Sequence, residues 1–370
     1  MATGVLALLG SGETAPGMTR VHRSLLARHP QVDAVTLDTP YAFQENVPQM
    51  TDKLVGYFDR SLHIAITPLH FARYDETSPL ERIAFKQRVR EATYVFAGPG
   101  SPSYALAQWR PLALVDDFTE ALTHGAATLC FSSAAAATLG SFAPPVYEIY
   151  KVGAAPFWLE GLDLMSAVGL ECVVIPHWDN HEGGTYDTSR CYLGERRLTV
   201  LEESLPDSTA ILGVDEHTAL ILDAGDDTVT VTGRARGYWR RGGVTVILEN
   251  GSTTPLPQLR DGSALTRLPP TSLGEPFSPL DAAQLAEVAA RGGSEGLRAL
   301  AQLTRLAQSA ATEQLSPQPL VDRLLTLRDQ ARRSGDYAVA DALRDALDEA
   351  GVDVRDSVTG STWTLRTPLT

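Results

Sequence analysis

Residues 126–140, AATLCFSSAAAATLG, set two adjacent hydroxyls between an apolar run and a tract of alanines. The run 126–131 is too short for a helix and suits a buried strand. The alanines at 134–137 suit a helix packed close to a sheet, so strand should give way to helix at Ser132 and Ser133. A hydroxyl on such a turn lies near a helix N-terminus, whose unpaired N–H groups favour developing negative charge. That is how a nucleophile is presented on a sharp elbow, although the same serines also suit a plain helix N-cap.

Three other segments offer the rest of an acyl-transfer machine. His177 follows the apolar run Cys172–Ile175 and takes the place of a general base at a strand end. Asp215 and Glu216 follow the run Ala210–Val214 and offer a carboxylate to orient that histidine. The loop 97–109, AGPGSPSYALAQW, makes a rigid turn with exposed backbone N–H groups, suited to an oxyanion or carboxylate and equally to an ordinary strand-to-helix connection. A competing metal reading draws on His177, Asp179, His181, Cys191 and His217, with an HxDxH spacing. The serine already accounts for His177, so neither metal nor cofactor is expected.

These residues need a scaffold that brings distant strand ends together. Val5–Leu9 reads as a first strand ending in the glycine turn 10–14, followed by a helix over 18–28. Strands over 33–39, 63–67 and 93–96 alternate with helices over 46–60 and 79–90. That alternation predicts an α/β fold, a mostly parallel sheet with helices on both faces and its site at the carboxyl ends of the strands. Residues 190–203 read as partly helical. Residues 220–251 alternate at period two and predict an antiparallel ribbon closing a domain over 1–251. Six prolines within 252–280 mark a linker. A helical segment over 281–315 follows, then a small helical hairpin with a short β-ending over 320–366.

The chain has 370 residues, 44% of them hydrophobic, and a net charge of −14, which argues against a basic nucleic-acid footprint and against adhesion to anionic membrane. Cys130, Cys172 and Cys191 show no CxxC spacing and read as buried thiols. The first apolar run reads as a strand rather than a leader, and no run is long enough to span a membrane, so a cytoplasmic location is expected.

Residues 1 to about 250 resemble the serine peptidase family of dipeptidase E and cyanophycinase, built on the class I glutamine amidotransferase-like, flavodoxin-like fold. The resemblance rests on 9-LGSGE-13, 96-FAGPGS-101, 132-SSAAA-136, 176-PHW-178 with 196-RRL-198, and 213-GVDEHTAL-220, in that order. It implies Ser133 as nucleophile, His177 as base and Glu216 as the orienting carboxylate, with Asp215 its near rival. Backbone N–H groups at Gly98, Gly100 and Ala134 would then serve the oxyanion. It further implies hydrolysis of a small, acidic peptide or amide through an acyl-enzyme. Glu13, Tyr41, Gln44, Tyr147, Tyr150 and Lys151 lie on loops expected at the same sheet edge and are candidate substrate-binding residues. Phe131 and Ala135 stand where the family usually has glycine, and Pro99 replaces a second N–H donor. These departures support an alternative, an inactive ligand-binding domain acting through the C-terminal helices.

Residues 327–363 are similar to the small end domain of cysteinyl-tRNA synthetases, with paired helices, the turn 350–352 and the closing TGSTW. Between 320 and 370, seven arginines face nine acidic residues. Phosphate binding needs a positive face, so the expected role is docking or homo-oligomerisation rather than tRNA binding.

Overall fold

A computed structural model describes residues 3–262 and, in the C-terminal part, residues 325, 328, 344, 347, 352–357 and 360–365. The chain divides into two units, Met1–Leu268 and Pro269–Thr370.

The first unit carries β1 (Val5–Leu9), α1 (Thr19–Leu26), β2 (Ala34–Leu37), α2 (Val47–Tyr57), β3 (Ile66–Leu69), α3 (Pro79–Glu91), β4 (Tyr94–Ala97), α4 (Pro102–Trp109), α5 (Leu114–His124) and β5 (Thr128–Ser132). It continues with α6 (Ser133–Ala137), β6 (Phe142–Ala143), β7 (Leu159–Glu160), β8 (Cys172–Ile175), α7 (Gly194–Glu203), β9 (Ala210–Val214), β10 (Thr218–Asp223), β11 (Thr228–Gly233), β12 (Gly237–Arg241), β13 (Val244–Leu248), β14 (Thr253–Pro255) and α8 (Leu256–Arg260).

Strands β1, β2, β4 and β5 are buried along their whole length, as near-continuous apolar runs must be when helices cover both faces of a parallel sheet. They form the centre of an eight-stranded sheet, order β14-β11-β10-β1-β5-β4-β2-β3, parallel from β1 to β3 and antiparallel from β10 outward. The two-residue alternation of each strand splits the core. Leu6, Leu8, Leu129 and Phe131 pack with Trp109, Phe118 and Leu122 on one face. Ala7, Leu9, Tyr94, Phe96 and Cys130 pack with Val21, Leu25 and Phe58 on the other.

The mostly parallel sheet is present, but the histidine and acid strands do not join it. β8 and β9 pair parallel in a separate four-stranded sheet, order β13-β12-β9-β8, over a core of Val173, Ile175, Ile211 and Leu198. The expected closing ribbon is shared out, with β10 and β11 in the large sheet and β12 and β13 in the small one. β3 starts later than its expected 63–67 span. His63, at φ 58, still closes the helical turn before it through its N–H to Asp59.

The Pro-rich stretch is not linker at its start. β14 pairs with β11, Leu256 and Leu259 of α8 are fully buried, and Arg260 bonds Asp227 and the Val168 carbonyl. Pro255 ends an edge strand and Pro257 lies in a first helical turn, two positions that need no N–H.

In the second unit, β15 (Val352–Ser357) and β16 (Gly360–Leu365) form the expected antiparallel ending, with Val354 opposite Trp363. Leu325, Arg328, Arg344 and Leu347 are helical, and all but Arg344 are buried. The helical segment over 281–315 and the rest of the hairpin lie outside the described residues. Among the described residues no helix is long and apolar enough to cross a membrane.

Candidate active site

β5 ends at Ser132 in extended conformation, and Ser133, the first residue of α6, turns to φ 51. A left-handed serine costs on the order of 1–3 kcal/mol and persists only where its surroundings enforce it. Here α6 enforces it: all five of its residues are buried, and their small side chains let it lie against the sheets. The two hydroxyls part company. Ser132 makes no cap bond and donates to Glu13 Oε2 at 2.9 Å, whereas Ser133 Oγ lies 2.8 Å from His177 Nε2.

His177 also has positive φ, 48°, and its backbone is fixed on both sides. Its N–H donates to Gly10 and its carbonyl accepts from Cys191. Its Nδ1 lies 2.7 Å from Glu216 Oε1. That bond, the strongest influence on Glu216, holds its carboxyl down at about 2 from an ordinary 4.5, with a bond from Asn180 helping. An ionised carboxylate only accepts, so Nδ1 carries the proton and Nε2 is left to receive one from Ser133. Glu216 is itself gripped twice. Asn180 Nδ2 donates to Oε1 at 3.0 Å, and the Glu216 N–H donates to Asp179 Oδ1 at 2.7 Å.

Asp215, the rival orienting acid, points elsewhere. Its Oδ2 accepts from the Arg236 N–H and the Tyr238 hydroxyl, both at 3.0 Å. Burial, and then the Asp179 charge, raise it to about 6. The two acids are neighbours in the turn between β9 and β10, yet their side chains bond to different partners.

The glycine loop lies beside the elbow. The Gly98 carbonyl accepts the Ala135 N–H at 3.2 Å, tying loop to helix. Gly100 has φ 143, and a Cβ there would meet the Pro40 carbonyl at 1.9 Å, so no other residue fits. The N–H of Ala134 belongs to the first turn of α6 and has no intrahelical acceptor. Phe131 stands clear of the elbow: strand alternation drives its ring into the core, 5.1 Å from that of Phe118.

The candidate substrate residues divide into two groups. Glu13 sits between Ser132 and Gly98, its Oε1 4.0 Å from a Cβ built on that glycine. Tyr150 stacks on Tyr186 at 6.1 Å, Lys151 Nζ lies 4.6 Å from the Tyr150 ring, and exposed Tyr147 precedes them on the same segment. Tyr41 is instead buried with its hydroxyl on Thr51, and Gln44 lies in the turn after it. No hydrogen bond joins Tyr41 or Gln44 to Ser133, His177 or Glu216.

Asn180, Tyr186 and Tyr192 escape sequence reasoning. The only available sign for Asn180 was its place three residues after His177. Tyr192 lies 5.6 Å from the His177 ring and 5.3 Å from that of Tyr150. The residues of the metal reading do not converge: Asp179 holds Glu216, burial pushes the Cys191 thiol up to about 12, and the His217 ring lies against Gly12. Among the described residues no group of three or more His, Cys, Asp or Glu is placed to hold a metal.

Fold and site together define an α/β protein with a serine, a histidine and a glutamate aligned at strand ends. A peptidase from an acI-B1 Actinobacterium has a similar fold: TM-score 0.56, 22% identity, covering 69% of this chain and 97% of that one. The C-terminal part matches elsewhere. The family model of the cysteinyl-tRNA ligase anticodon binding domain matches residues 318–363. The cysteine–tRNA ligase of Bifidobacterium longum is 28% identical over 166 residues, 43% of this chain and 28% of the ligase. That of Beutenbergia cavernae is 51% identical over 47 residues, 13% of this chain. The chain thus spans about a quarter of the first of these ligases and a tenth of the second.

Proposed function

We propose that the first unit is a serine hydrolase that cleaves a small peptide or amide, acidic by the family resemblance, through an acyl-enzyme. The observation that carries this reading is the unbroken line Ser133 Oγ, His177 Nε2, His177 Nδ1, Glu216 Oε1, with steps of 2.8 and 2.7 Å. In acylation Ser133 Oγ bonds to the carbonyl carbon while its proton passes to His177 Nε2. The C–N bond then breaks and the amine leaves with that proton. Water repeats the sequence to release the acid and restore Ser133. The N–H groups of Ala134, Gly98 and Gly100 are assigned to the oxyanion, each worth about 2.7–4 kcal/mol where well aimed. A fluorophosphonate should label the folded protein and fail to label Ser133→Ala; failure to label wild type would refute the proposal.

The inactive alternative requires a serine out of reach of its base, and a 2.8 Å contact speaks against it. We assign the C-terminal segment to docking or self-association, since its acidic residues outnumber its arginines. Light scattering of the full chain should give an oligomer, and filter binding should give no tRNA retention at physiological salt.

A further inference from the structure

Arg190, Cys191 and Tyr192 all adopt left-handed conformation, at φ 58, 58 and 64. Left-handed residues other than glycine normally occur singly, so three in a row signal a conformation imposed by neighbours. The imposing bonds are present. Arg190 N–H donates to the Trp178 carbonyl at 2.9 Å, Cys191 N–H to the His177 carbonyl at 3.1 Å, and Tyr192 N–H to the Thr188 carbonyl at 2.9 Å. The Arg190 guanidinium adds a second bond to Trp178 and lies 4.2 Å from its ring. This strained turn delivers the Tyr192 ring to the imidazole of His177, 5.6 Å between centroids.

Tyr192 then starts a run of rings. Tyr150 lies 5.3 Å from it, and Tyr186 stacks on Tyr150 at 25° and is 52% exposed. The Tyr192 hydroxyl is committed to Glu182 at 3.0 Å, so its ring faces the site as an apolar surface. Nothing in the Ser133–His177–Glu216 line requires these rings. Resting on the hydrolase reading, we infer that Tyr192, Tyr150 and Tyr186 form the leaving-group subsite and select a planar aromatic side chain. The departing amine takes its proton from His177 Nε2, so what is bonded to that nitrogen must pass close to the imidazole, and the Tyr192 ring is the aromatic surface beside it, 5.6 Å between centroids. Aromatic pairing adds selectivity beyond simple burial.

The test uses product mimics to slow fluorophosphonate labelling of the full chain. L-Phenylalanine mimics the departing amine of a peptide ending in an aromatic residue, L-alanine its small counterpart, and N-acetyl-L-phenylalanine an aromatic acyl product. L-Phenylalanine should protect at about one-tenth the concentration of L-alanine. That ratio should collapse in Tyr192→Ala and survive in Tyr192→Phe, which keeps the ring and drops only the Glu182 bond. Should Tyr192→Ala not fold, Tyr186→Ala, at an exposed position, should lower the same ratio. Equal protection by the two amino acids, or better protection by the N-acetyl compound, would overturn the assignment while leaving the serine mechanism intact. Absence of labelling would strike the mechanism itself and take this inference with it.

Discussion

The two arms of the site are held in different ways. Ser133 is placed by packing: a strand buried on both faces, a wholly buried alanine helix, and Phe131 anchored among Trp109 and Phe118. His177 and Glu216 are placed by hydrogen bonds, on loops of a second sheet where His177, Arg190, Cys191, Tyr192 and His217 all have positive φ. Packing is non-directional and tolerates small changes, whereas a relay of hydrogen bonds fails when one member moves. Substitutions in the packing around Ser133, the serine itself apart, should therefore cost stability first, and those on the second arm should cost reactivity first.

The largest effect should come at the proposed nucleophile. Ser133→Ala is expected to cut turnover by about 10⁶-fold, the scale set by a subtilisin triad serine, with little change in melting temperature. Ser132→Ala, whose hydroxyl is spent on Glu13, should stay within about tenfold of wild type, the scale of one hydrogen bond. Next, Glu216→Gln should slow phosphonylation by about 10⁴-fold, as loss of a triad carboxylate does. Asp215→Asn should change it far less, which measures how fully one acid rather than its neighbour serves the histidine.

Phe131→Gly would restore the glycine usual in the resembling family, yet it should destabilise the fold by about 3–5 kcal/mol in urea unfolding because it empties a core site. Labelling of the folded fraction should persist. If labelling were lost at unchanged stability, the division between the arms would be wrong.

The smallest effect is a pair of opposite pH slopes. Asp215 holds its proton more tightly folded than unfolded, so its share of stability falls as pH rises from 3.8 to about 6. Glu216 does the reverse: its contribution is present above 4.5 and lost as pH falls toward about 2. Urea midpoints across pH 2–7 should lose the first slope in Asp215→Asn and the second in Glu216→Gln.

Much of this was legible because burial on both faces writes itself plainly into sequence. Cys172–Ile175 and Ala210–Val214 are apolar throughout and fall where the runs predict. Ser133, His177 and Glu216 follow such runs, so their positions at strand ends could be read. Which sheet a strand joins could not, because β8 and β9 are as apolar as β1 and β5 and pairing partners leave no local mark. Prolines misled at β14 and α8, where edge and first-turn positions accept them. Tyr192 was hidden because the backbone that aims it is left-handed at three non-glycine residues, a turn made by long-range and local hydrogen bonds to the Trp178, His177 and Thr188 carbonyls that leave no mark in the sequence.

The most direct trial is to find the reactive atom. Peptide mapping by tandem mass spectrometry after fluorophosphonate treatment should place the adduct on Ser133 alone, in a 132–133 pair where both residues are buried and only one hydroxyl meets a histidine. An adduct on Ser132, on a tyrosine of the aromatic wall, or nowhere in the folded chain would contradict the account.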